Sequence, residues 1–162
     1  MLQSTKGAAF ECALLANEAL KHYVSIHNRI FSEQATVTSF FRNLFGRGTN
    51  FEALLNEARS ADQLWQNVDT HVAGCFGAFR DDFTQAERDF FVELLAWVKA
   101  VKKTTALLCE RQEALIRKAN GESLSMSDYQ QIERDYERAV ESYVRLGSSV
   151  QEKMEKLSSA SY

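Results

Sequence analysis

The sequence has no proline and only seven glycines in 162 residues. These are the residues that end or kink helices, so their scarcity makes long uninterrupted helices the default. Cysteine is also scarce. Cys12, Cys75 and Cys109 are widely separated in the chain, with no CxxC pair and no Cys/His cluster. That pattern argues against a disulfide framework and for reduced thiols, packed as small core residues in a reducing compartment. No stretch approaches the ~20 apolar residues of a membrane span. Residues 1–20 are rich in alanine and leucine but are broken by Lys6, Glu11 and Glu18. They lack the charged head, apolar run and cleavage site of a secretory signal. Basic charge is not in surplus, since the net charge is -3, which removes the global footprint of a nucleic-acid binder. There is no glycine-rich phosphate loop, no glycine-flanked serine elbow and no local Cys–His nucleophile signature. No catalytic residue and no cofactor is therefore assigned, and the chain is read as non-enzymatic.

What is present is helical periodicity. Hydrophobic residues make up 45% of the chain and charged residues 25%, an ordinary balance for a globular domain of this length with a real core. The organising stretch runs from Thr84 to about Asn120. Phe91, Leu94, Val98, Val101, Thr105, Leu108, Gln112, Leu115 and Ala119 alternate by three and four, which keeps one stripe on one side of a helix. Leu95, Cys109 and Ile116 widen that stripe, and Phe90 and Trp97 flank it on the other side. A face this broad needs two neighbours or more. A helix of roughly 50 Å at 1.5 Å per residue also needs long ones.

The rest of the chain supplies them. A first helix is predicted from about Leu2 to Phe31. It has two stripes, Phe10, Ala13, Asn17, Leu20, Val24, His27, Phe31 and Ala9, Cys12, Ala16, Ala19, Tyr23, Ile26, Ile30. Residues 32–36 read as a break. Val37–Phe45 reads as a short apolar helix, closed by Gly46 and Gly48. Thr49 and Glu52 form a capping box for a helix that carries Phe51 through Phe79. Gly74 and Gly77 near its end are candidates for fraying or a kink. Arg80–Asp82 makes a turn, and Thr84 with Glu87 is a second capping box. Asn120–Gly121 is a C-cap signal. Ser127 with Gln130 is a third box, opening a last helix to about Leu157 with a seam of Tyr129, Ile132, Tyr136, Ala139, Tyr143, Leu146 and Val150. Ser158–Tyr162 is expected to be disordered. The fold class is thus all-α, an elongated antiparallel bundle of four long helices plus one short helix. Residues 1–162 form a single helical-bundle domain, with 37–45 inserted between the first two long helices.

Two features suit binding. Lys99, Lys102 and Lys103 form a basic cluster on the organising helix, fit for anionic lipid head groups or, alternatively, simply a solvated outer face. Val37–Phe45, with Phe40, Phe41, Arg42, Phe45 and the following Arg47, reads as an interfacial wedge or as a cap over one end of the bundle. The seam tyrosines Tyr129, Tyr136 and Tyr143 need partners for their hydroxyls, which places them at a core edge or an interface. Glu18 and His22 share a helix face as a metal-ligand pair could, but a solvated helix face is the better reading, so no metal site is assigned. His27 lies in a seam and reads as a hydrogen-bonded interior or interface histidine.

Glu87–Leu115, ERDFFVELLAWVKAVKKTTALLCERQEAL, resembles the middle helix of BAR domains, especially those of sorting nexins. The register IERDYERAVESY is similar to the helix that follows in that family, and LKHYVSIHNRI to its opening helix. The chain departs from the family at the break over 32–50 and in its short final helix. The resemblance implies a homodimer that binds curved membrane, and it carries over no individual residue. The first reading is therefore a self-associating module on an anionic membrane surface, cytoplasmic and peripheral. The alternative is a soluble adaptor whose exposed seam, the tyrosine stripe, holds a helix of a partner protein. A third is a metal-dependent bundle enzyme.

Overall fold

A computed structural model describes residues 4–34 and 50–159. Among them all regular structure is α-helical, in four long helices: α1, Thr5–Gln34; α2, Phe51–Ala78; α3, Gln85–Ala119; and α4, Met126–Ser159. The expected short helix at 37–45 lies outside the described residues.

The helix ends follow from local chemistry. Ser4 caps α1 by accepting the Gly7 amide at 3.0 Å, so the helix starts at Thr5 and not at about Leu2. It also continues past Phe31 to Gln34, into the expected break at 32–36, because no proline or glycine stands there to stop it. α2 is capped by Asn50, whose side-chain carbonyl accepts the Ala53 amide at 3.0 Å; Thr49, the expected cap, lies outside the described residues. The Thr84–Glu87 capping box forms as expected: each side chain accepts the other's backbone amide. α3 ends in a Schellman turn, with Gly121 N–H on Lys118 O and Glu122 N–H on Arg117 O. Gly121 supplies the φ of 89° that this turn requires. The cap of α4 lies two residues before the expected Ser127. Ser125 accepts the Asp128 amide at 3.0 Å instead. At its other end α4 continues through Ser159, past the point where disorder was expected. α2 runs as continuous helix through Gly74 and Gly77 to Ala78.

α3 touches all three other helices. Phe91, Leu94, Val98, Val101, Thr105, Leu108, Gln112 and Leu115 are all fully buried. The wider part of the buried face lies on the Phe90, Trp97, Thr104, Arg111 side. The other flank, Leu95, Cys109 and Ile116, is only half-buried, and Ala119 is exposed.

α2 covers one side of α3. Trp65 packs edge-on against Trp97, with centroids 5.7 Å apart. Thr105 donates to Asp62 at 2.9 Å, Lys102 pairs with Asp69 and Arg59 with Glu113 at 2.9 Å. Rising numbers on α2 thus meet falling numbers on α3. α4 covers another side, where Arg111 meets Glu133 near one end and Trp97 abuts Gly147 further along. α1 packs on α2 and α3 through the stripe Ala9, Cys12, Ala16, Ala19, Tyr23, Ile26 and Ile30, all buried. Its four small residues let α2 approach closely. The other stripe of α1 is half-exposed.

Candidate functional site

α1 and α4 flank the same part of α3, yet among the described residues their backbones nowhere come within 8 Å. Side chains decide what fills the gap. In one half, large rings bridge it. Tyr23, His27 and Phe31 of α1 meet Tyr136 and Tyr143 of α4, with His27 stacked on Phe31 at 4.5 Å and Tyr23 edge-on to Tyr143 at 5.9 Å. In the other half the facing residues are small: Ala13 and Asn17 on α1, Gly147 and Ser148 on α4. Among the described residues nothing there spans the gap. The result is an open groove of about 900 Å³.

The groove floor is Leu94 and Trp97 of α3, and Leu20, Tyr143, Val150 and Met154 form apolar walls. Gly147 allows the Trp97 indole to lie flush, since a Cβ there would sit 3.2 Å from Nε1. Val144 lines the groove at 56% exposure, with Leu14 (63%) and Val24 (36%) exposed on the adjacent turns of α1. The rim is polar, and Glu155 is the charged residue among the lining side chains. Surface apolar area gathered in one concavity is the usual form of a docking site.

The bridged half holds a buried polar network. The Tyr136 hydroxyl lies 2.7 Å from that of Tyr23 and 2.6 Å from His27 Nδ1. Beside it, Arg111 lies 4.6 Å over the Phe31 ring, donates to Glu133 at 2.6 Å and reaches the Tyr129 hydroxyl at 3.3 Å. Burial raises the Tyr23 and Tyr136 hydroxyls above the usual phenol range, and pushes Tyr129 up to about 12. Burial, then the Arg111 charge, lowers His27. The interior thus favours neutral rings that exchange hydrogen bonds. The expected role of His27 as a hydrogen-bonded interior residue agrees with this geometry.

The tyrosine seam therefore divides. Tyr136 is 2% exposed and engaged by its own chain. Tyr129 is tied to Arg111. Only Tyr143 reaches the groove wall. Of the lysines, Lys99 and Lys103 are exposed on α3, while Lys102 is bound to Asp69. Phe40, Phe41, Arg42, Phe45 and Arg47 lie outside the described residues. Glu18 and His22 are both exposed, and Glu18 pairs with Lys21 at 2.7 Å.

The three cysteines are free, but two that lie far apart in sequence meet in space. Folding α1 onto α2 brings Cys12 to Cys75 and His71, with donor atoms all within 4.8 Å of one another. Burial, then the hydrogen bond to Cys75, pushes the Cys12 thiol up to about 12. Two of the three members were legible, because His71 and Cys75 are four apart on one helix and must share a face. Its third member required the α1–α2 register. Cys109 stays apart on α3, and burial also raises it to about 12.

Among the described residues no helix is long and apolar enough to cross a membrane. Compared with known proteins, the chain matches no family model, no curated protein and no solved structure, so the residues above carry the functional reading by themselves.

Proposed function

We propose that the chain is an elongated antiparallel bundle that acts without catalysis, as a docking module for an amphipathic helix of a partner protein. The observation that carries this reading is the open α1–α4 seam over Leu94 and Trp97. Two helices held apart above an apolar floor form the groove into which a further helix packs by ridges and grooves. Along α4 the lining runs from Tyr143 to Ser159, which is about 24 Å at 1.5 Å per residue and suits a helix of about 16 residues. Glu155 at the rim favours a partner with a basic residue beside its apolar stripe. The docking surface is thus the groove, with Tyr143 as the seam tyrosine that takes part.

The test uses a displayed library of amphipathic helices of about 16 residues. Selected peptides should share an i, i+3/i+4, i+7 apolar stripe and should shift Trp97 emission. Leu20→Glu and Val144→Glu should abolish binding, and Lys103→Glu should leave it intact. If no peptide is selected, or if those groove variants bind normally, the reading fails.

A second reading, self-association on an anionic membrane as the BAR resemblance implies, is favoured by the exposed pair Lys99 and Lys103. It requires co-sedimentation with anionic vesicles that weakens with salt and on Lys103→Glu. It also requires a solution mass above that of one chain. Loss of vesicle binding at low salt removes it.

A further inference from the structure

We infer that Cys12, His71 and Cys75 form a binding site for a zinc ion that clips α1 to α2, independent of the groove. The three side chains come from two helices and meet at the edge of their seam. Cys12 is fully buried, Cys75 is half-buried and His71 is exposed. The cluster therefore has a deep end and an open end, and the open end is a path for an ion from solvent.

The spacing fits the metal. Tetrahedral zinc holds sulfur at ~2.3 Å and imidazole nitrogen at ~2.0–2.1 Å, which places a sulfur and a nitrogen ligand about 3.6 Å apart. The Cys75 Sγ to His71 Nε2 separation is 3.6 Å. His71 and Cys75 are four residues apart on one continuous helix, so a single rotamer choice at each presents both donors together. Cys12 is flanked on its stripe by Ala9, Ala16 and Ala19, and the closeness of the two backbones puts its sulfur within reach. Two sulfurs and one imidazole form a soft donor set that favours zinc over magnesium or calcium.

The charges balance. Binding displaces one proton from each thiol, so Zn²⁺ with two thiolates and a neutral imidazole is uncharged. Water from the exposed side takes the fourth position.

The test uses the reduced full chain, kept reduced with a phosphine. It should retain one zinc per chain against a chromogenic chelator. Cobalt(II) in its place should give the intense visible bands of a tetrahedral site and a thiolate charge-transfer band. Zinc should also raise the melting temperature, because it binds only the folded state. His71→Ala, at an exposed position, should fold normally, lose at least about tenfold in zinc affinity and lose the thermal shift. Cys75→Ser should also lose the charge-transfer intensity, and Cys109→Ser should change nothing. The inference is overturned if the reduced chain keeps no stoichiometric zinc, if His71→Ala binds as the parent does, or if Cys109→Ser removes binding.

Discussion

Replacing Tyr136 by phenylalanine deletes one oxygen atom and tests how the bridged half of the α1–α4 seam is held. That hydroxyl is bonded to Tyr23 at 2.7 Å and to His27 Nδ1 at 2.6 Å. Tyr23 is 0% exposed, so its own hydroxyl would lose this hydrogen bond in the interior, away from water. A buried polar group left unsatisfied costs about 1–3 kcal/mol. His27 is only half-buried, and water can partly replace its bond. The expected loss is about 2–4 kcal/mol, which for a chain of this size lowers the melting temperature by about 4–15 °C. Tyr23→Phe should cost less, about 1 kcal/mol, because the Tyr136 hydroxyl keeps His27. The double variant is the sharper measurement. Removing the Tyr23 hydroxyl relieves the group that Tyr136→Phe strands, so the double variant should be more stable than Tyr136→Phe alone. Urea unfolding followed by far-ultraviolet circular dichroism reads all three. The reasoning is refuted if Tyr136→Phe unfolds within about 0.5 kcal/mol of the parent, or if the two single costs simply add.

Two other perturbations have signs fixed by the structure. Gly77→Ala lies in an exposed turn of α2 with nothing within 4 Å of the new Cβ, and should stabilise by about 0.5–1 kcal/mol in urea unfolding. Gly121→Ala, at a φ of 89°, should destabilise by about 1 kcal/mol because alanine is strained there. His27 has its folded pKa held below its ordinary value of 6.5 by burial and by Arg111. Its contribution is full above that value and is lost as pH falls below it, since the unfolded chain then takes up a proton that the folded chain refuses. Stability should decline from pH 6.5 towards about 5, and His27→Gln should flatten that slope.

Much of the fold was legible in the chain. A stripe with no proline, spaced by three and four, can be satisfied only by a long helix, and the Thr84 box and Gly121 turn fix its ends by local hydrogen bonds. Caps were less legible where two candidates stood close together. Ser125 caps α4 where Ser127 was expected, because neighbouring polar side chains can each accept a nearby free amide.

Sequence by itself determined the four helices and that α3 is the one the others wrap, because local spacing sets which residues share a face. It did not determine which stripe of α1 is core. Both alternate identically, and only the docking of α1 on α2 and α3 buried Ala9 through Ile30 and left Ala13 and Asn17 facing a gap. Tertiary structure alone decided that rings close one half of that gap while small residues leave the other open. It alone set Cys12 beside His71 and Cys75. These depend on the register between helices, which arises from contacts between residues far apart in the chain.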